Sequence, residues 1–290
     1  MSYEVVGVGE DDEADDTDEA FAELKRAPPW TTYPDVGKED KVYRKSEGHY
    51  DTHVACLFSL FEWHTETLNA WTILAHGALQ VSVFFYFLFS RELRGVDLAL
   101  FLTHAIVIAT HAIFATGYHL FMPVSLETHL EWRRLDGFGA YASFTSTGFL
   151  LSYYAFPPSV FYCLLGLSLL VQTFAYAEMI FSWTPRTYHD EYRHTVWYKM
   201  AVAAIPQTAA LAYGGVSDVV ERGSATLLIV AAATVLLQVM GTESYRRGFP
   251  ERMTRGYDFP ASHVLMHVCI LGCDALILFF AVTLRDRIRR

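Results

Sequence analysis

"SHVLMHVCILGCDALILFFAVTL" (residues 262–284) opens with two histidines one helical turn apart and runs on as an almost unbroken apolar stretch. About 20 apolar residues are needed to cross the hydrocarbon core of a bilayer. This stretch meets that length, so it reads as a membrane helix. Imidazole is uncomfortable in hydrocarbon, and two at the mouth of such a segment invite three readings. They are paired core residues, a proton relay, or two arms of a metal site.

Six further stretches reach a similar length: 69–90, 97–121, 138–156, 159–183, 197–216 and 224–241. The third is the most polar, with Ser143, Thr145, Ser146 and Thr147, a row that either lines a cavity or serves small-residue helix packing. The fifth carries Pro206 in mid-span, which a bundle tolerates when neighbouring helices satisfy the freed carbonyl. Composition agrees. Apolar residues make up 52% of the 290 residues and aromatics 15%, and the charges gather in short clusters between apolar runs. The expected fold is an all-α membrane protein, a seven-transmembrane helix bundle over residues 46–290. Much of the formal net charge of -10 sits in "GEDDEADDTDEAFAELK" (9–25), so residues 1–45 read as an acidic, disordered tail. No cleavable signal peptide is recognisable at the start. The cysteines, Cys56, Cys163, Cys269 and Cys273, form no disulfide framework and no Cys-x-x-Cys pair.

Lysine and arginine in the flanks set the expected orientation. With the N-terminus cytoplasmic, that side holds fifteen of the 22 basic residues and the other side seven, four of them in the C-terminal tail. The bias places the N-terminus in the cytoplasm and the C-terminus outside.

In that topology the second span ends at the cytoplasmic side with His119, the third starts there just after Asp136, and the seventh starts there with His263 and His267. Residues four apart on a helix lie about 40° apart around the axis and about 6 Å along it, so the last two imidazoles share a face. Three neutral imidazoles with one open position suit a catalytic zinc, which lowers the pKa of a bound water to about 7. Asp136 then has three open roles: binding through that water, acting as general base, or orienting a histidine. His76, His104 and His111 read instead as packed, hydrogen-bonded histidines. Other chemistry is excluded. The seventh span holds no lysine for a retinal Schiff base, and there is no Gly-rich phosphate loop, no hydrolase elbow and no basic, aromatic-interleaved surface for nucleic acid.

Three blocks, in order, resemble the progestin and adipoQ receptor family, over residues of about 42 to 285. "LFSLFEWHTETLNAWTILAH" (57–76) is similar to the block entering its first span. "ATGYHLFMPVSLETHLEWRRLDGFG" (115–139) is similar to its Tyr-x-His-x-Phe and Leu-Asp-x-x-Gly block. "GFPERMTRGYDFPASHVLMH" (248–267) is similar to its Ser-His-x-x-x-His block. The resemblance implies a seven-helix fold with a cytoplasmic N-terminus and Zn2+ held by His119, His263 and His267, with Asp136 at the metal-bound water. It also implies a membrane receptor of the adiponectin or progestin kind, for a lipid or steroid ligand in the bundle, with a protein hormone or a cytoplasmic adaptor as further partners. The superfamily includes alkaline ceramidases, which implies hydrolysis of a lipid amide such as ceramide. A zinc-stabilised receptor or scaffold without turnover is the alternative. The implied location is the plasma membrane or an endomembrane. The chain departs from the family pattern at one place: Ala115 stands where members usually carry a serine, with Thr116 adjacent.

Overall fold

In the computed structural model the described residues are 52–64, 66–91, 93–182, 200–250 and 261–289. The acidic tail (1–45) lies outside them, as do residues 251–260, which include most of the Pro-Glu-Arg stretch. Among the described residues the secondary structure is helical, with no strand. That is the physical expectation in lipid, where a helix satisfies its own backbone polar groups. In chain order the helices are α1 (His53–Ser59), α2 (Thr67–Ser90), α3 (Gly95–Phe121), α4 (Leu126–Ala155), α5 (Pro158–Ser182), α6 (Ile205–Arg222), α7 (Thr226–Arg247) and α8 (Ala261–Ile288).

Five of these, α2, α3, α5, α7 and α8, are long and apolar enough to cross a membrane. The protein is therefore a multi-pass membrane protein. The helices at the third and fifth expected spans, α4 and α6, are more polar and fall outside that set. Both differ from the sequence reading in a definite way. α4 starts at Leu126 rather than near residue 138, because Ser125 caps it: its Oγ accepts the Thr128 N–H at 3.1 Å. The charged run "LEWRRLD" is therefore helical, and Asp136 lies inside the helix instead of ahead of it. Pro206 is likewise not in mid-helix. The chain turns at Ala204 and Pro206 occupies the first turn of α6, where its missing N–H costs no hydrogen bond.

Consecutive helices pack in a circuit: α2 on α3, α3 on α4, α4 on α6, α6 on α7 and α7 on α8, with α8 closing back onto α2 and also touching α4. α5 packs on α4. Glycines permit two close approaches. A Cβ on Gly241 of α7 would lie 2.8 Å from Cys269 Cβ of α8, and one on Gly139 of α4 would lie 2.8 Å from His111 Cδ2 of α3. The larger apolar core, with Leu150, Leu151, Leu211, Ile277 and Phe280, fills the end of the bundle away from the histidine pair.

That far end is fastened by charge. Asp97, buried in the first turn of α3, receives Arg285 and Arg289 from the end of α8 and the Tyr154 hydroxyl of α4 at 3.0 Å. The Arg285 guanidinium also donates to the Arg91 carbonyl at 2.9 Å, and Arg287 pairs with buried Asp218 of α6. Of the basic residues counted in the C-terminal tail, Arg285 and Arg287 are thus ion-pair partners inside the bundle, and the exposed Arg289 pairs with Asp97 from its end.

Candidate metal centre

His119 occupies the last turn of α3, and His263 and His267 the first two turns of α8. The i, i+4 spacing stacks the α8 pair on one face, and the packing of the helix ends carries His119 against them. The ring centroids are 4.8 Å apart for His119 and His263, 5.5 Å for His119 and His267, and 4.7 Å for His263 and His267. One ligand nitrogen from each lies within 4.8 Å of the others. His119 and His267 are buried, and His263 is half-buried with its ring against Tyr245.

Two of the three imidazoles have their tautomer fixed by a partner from α2. His119 Nδ1 lies 2.9 Å from Glu66 Oε2, and the same oxygen accepts the Asn69 amide at 2.7 Å. An ionised carboxylate only accepts, so His119 carries its proton on Nδ1 and leaves the Nε2 lone pair free. His267 Nδ1 lies 3.0 Å from Thr72 Oγ1. The Thr72 hydroxyl proton is already directed at the carbonyls of Leu68 (2.7 Å) and Asn69 (3.1 Å), so here too Nδ1 donates and Nε2 keeps its lone pair. Burial pushes the Glu66 carboxyl up, but the hydrogen bonds from His119 and Asn69 outweigh it and hold the group below the ordinary carboxylate range. The turn ahead of Glu66 is held by His64, whose Nδ1 accepts the Glu66 N–H at 3.1 Å while Nε2 donates to the Ser59 carbonyl at 3.1 Å.

Asp136 does not touch the three histidines directly. Its Oδ1 lies 3.3 Å from His111 Nε2, and His111 Nδ1 lies 3.1 Å from Ser143 Oγ. His111, read from sequence as packed and hydrogen-bonded, has this carboxylate and the Ser143 hydroxyl as its partners. Thr116 does not stand in for the serine missing at Ala115, because its hydroxyl donates to the Ala112 carbonyl at 2.7 Å. Ala115 itself packs with Ile73 and Ala112 in a small apolar cluster.

Residues 61–278 match the sequence profile of haemolysin-III-related proteins, a stretch that contains all of these side chains. The chain belongs to the haemolysin-III-related family. This is the family that takes in the progestin and adipoQ receptors, so the resemblance carried by the three sequence blocks holds. No curated protein sequence matches the chain significantly.

Within this haemolysin-III-related protein, sequence reasoning overlooked Glu66, Asn69 and Thr72. A signal for them was present: an acid, an amide and a hydroxyl spaced i, i+3, i+6 fall on one face at the start of an apolar span. The donor set fits zinc. Three neutral imidazoles are ligands that this ion accepts, and ligating histidines characteristically donate their other nitrogen to a carboxylate or another oxygen, as His119 and His267 do here.

Proposed function

We propose that this protein is a seven-helix membrane receptor of the progestin and adipoQ type, with its N-terminus cytoplasmic, in which zinc joins α3 to α8. The observation that carries this reading is the pair of tautomer-fixing contacts, Glu66 on His119 and Thr72 on His267. They leave the Nε2 lone pairs of two clustered histidines on two helices free, an arrangement that packing alone does not require. When bound, zinc supplies a cross-link between helices and a Lewis acid at that end of the bundle. Glu66, Asn69 and Thr72 orient the ligands from α2, so three helices share the site. The ligand class is an apolar lipid or steroid entering between helices, in the plasma membrane or an endomembrane.

The surroundings of Ala115 support a reading without turnover. The position of the usual serine hydroxyl is apolar, and the Thr116 hydroxyl is engaged with its own helix. One observation favours a second reading, hydrolysis of a lipid amide such as ceramide. Asp136 is a carboxylate, paired with His111, on a helix that packs on both α3 and α8, and a structural metal needs no such carboxylate. In that reading Asp136, backed by His111, holds and releases the proton at the reaction centre.

The readings separate in purified, zinc-replete protein in lipid nanodiscs supplied with ceramide. The receptor reading expects no fatty acid release by the wild type, and none in Ala115→Ser beyond background. Release by the wild type that disappears in Asp136→Asn while zinc is retained establishes the hydrolase and overturns the receptor reading.

A further inference from the structure

Ahead of the first span, the chain crosses the histidine end of the bundle as α1 and the turns that follow it. Leu60, Phe61 and Glu62 donate their N–H groups to the carbonyls of Leu57, Phe58 and Ser59 at 3.3, 3.1 and 2.8 Å, so helical winding continues past Ser59. The inner side of this segment is packed. Cys56 and Ser59 are buried, α1 lies on α3, and the His53 ring stands 5.2 Å from that of Phe121, the last residue of α3. The other end is tied to α2. Trp71 Nε1 donates to the Leu60 carbonyl at 2.9 Å, and the Phe61 and Trp71 rings meet edge to face at 6.1 Å. The segment therefore runs from the end of α3 to the second turn of α2, beside Thr72, the partner of His267.

Its outer side is apolar as well. Val54, Leu57, Phe58 and Phe61 follow the i, i+3, i+4, i+7 spacing of one helical face, and each is more than half exposed. Trp63, 61% exposed, comes next. A helix that is apolar all round is covered on every side, and an exposed apolar patch marks a contact with another apolar phase.

Two observations name that phase. The patch is continuous with the lipid-facing surface of the bundle, because Phe61 stands on Trp71, which belongs to the membrane helix α2 and is itself exposed. Between residues 54 and 63 the one charged side chain is Glu62. Aromatic and aliphatic side chains with few charges suit the boundary between headgroups and acyl chains, where an indole N–H still finds an acceptor, as Trp71 does in Leu60. The acidic stretch 9–25 has the wrong chemistry to cover such a face. A protein partner reaching both Phe61 and Trp71 would have to sit in the membrane.

We propose that residues 54–63 form an in-plane membrane anchor. Leu57, Phe58, Phe61 and Trp63 seat in the bilayer that the bundle spans, about 5–10 Å into the boundary between headgroups and acyl chains. The turn that presents Glu66 to His119 hangs on the inner side of this anchor. The Ser59 carbonyl accepts from His64 Nε2 at 3.1 Å, and the Glu62 carbonyl accepts the Thr67 hydroxyl at 2.8 Å.

Tryptophan fluorescence of the full-length protein in lipid nanodiscs tests this, with Trp63 read as the difference between the wild type and Trp63→Phe. Lipids brominated high on the acyl chain are expected to quench this component severalfold more than lipids brominated near the chain ends, and acrylamide in the water to quench it weakly. A second measurement does not depend on that variant. A spin label at Phe61→Cys, in a Cys163→Ser background that removes the exposed thiol, should be reached by oxygen more readily than by a water-soluble nickel complex. Zinc loading should alter neither result, which separates a failure here from a failure of the metal reading. Strong acrylamide quenching without quenching by brominated lipid puts the face in water and overturns the proposal. Stronger quenching from the chain ends overturns it too, since the segment then lies deeper than the boundary. Protection from both quenchers does the same, because a protein or a second copy of the chain then covers the face.

Discussion

Glu66 Oε2 lies 2.9 Å from His119 Nδ1, although one caps the start of α2, the other sits in the last turn of α3, and they are 53 positions apart. The first loop of the bundle therefore governs a ligand at the end of α3. Thr72 does the same for His267 across 195 positions. In both cases the partner fixes which nitrogen is left for a metal.

Removing these partners is expected to weaken zinc binding without removing a ligand. Loss of an orienting partner costs about 10–100-fold in metal affinity. Glu66→Ala should fall toward the upper end, because it leaves His119 without its buried carboxylate, and Thr72→Val toward the lower end. Competition with a chromophoric chelator measures both. Wild-type affinity in Glu66→Ala would show that the carboxylate serves only the packing of α2.

At the other end of the bundle, Asp97 and Arg285 form an ion pair with both side chains almost wholly enclosed. Breaking such a pair from one side strands a buried charge and costs about 3–5 kcal/mol. Asp97→Asn is expected to lower thermal stability in detergent strongly, since Arg285 and Arg289 both lose a carboxylate. Replacing Asp97 and Arg285 together with Leu and Met is expected to cost much less. Equal losses in the single and double variants would mean that the interaction is dispersed over Tyr154 and Arg91 instead.

A pH effect follows from His64. Burial lowers its imidazole below the ordinary value, against the pull of the nearby Glu66 charge. The folded form favours neutral imidazole, since Nδ1 must stay bare to accept the Glu66 N–H. The stabilisation is thus fully present above the unfolded value of about 6.5 and is lost as pH falls through the lower folded value. Hydrogen-exchange protection at the Glu66 amide should drop over that window in the wild type. His64→Asn, which cannot titrate, should show no such step.

The sequence made the α8 histidine pair and its His119 partner legible, because i, i+4 spacing is local and flank charges order the helix ends. It did not make Glu66 or Thr72 legible as partners, because that depends on α2 packing between α3 and α8. The start of α4 was misplaced for a related reason. Hydropathy marks where a segment becomes apolar, whereas the Ser125 cap decides where the helix begins. Pro206 was placed in mid-span by the same hydropathy reading, which does not register the turn at Ala204. His111 reads from sequence as packed and hydrogen-bonded, and it is; that its partner is Asp136 depends on Gly139, whose missing side chain lets α3 approach α4 there.

The central claim is that His119, His263 and His267 hold a metal. Elemental analysis of the full-length protein, purified without chelators and compared with a His119→Ala/His263→Ala variant, tests it most directly. The account expects stoichiometric zinc in the wild type and background zinc in the variant. A correctly folded wild type with no bound metal, even after incubation with zinc, would contradict it.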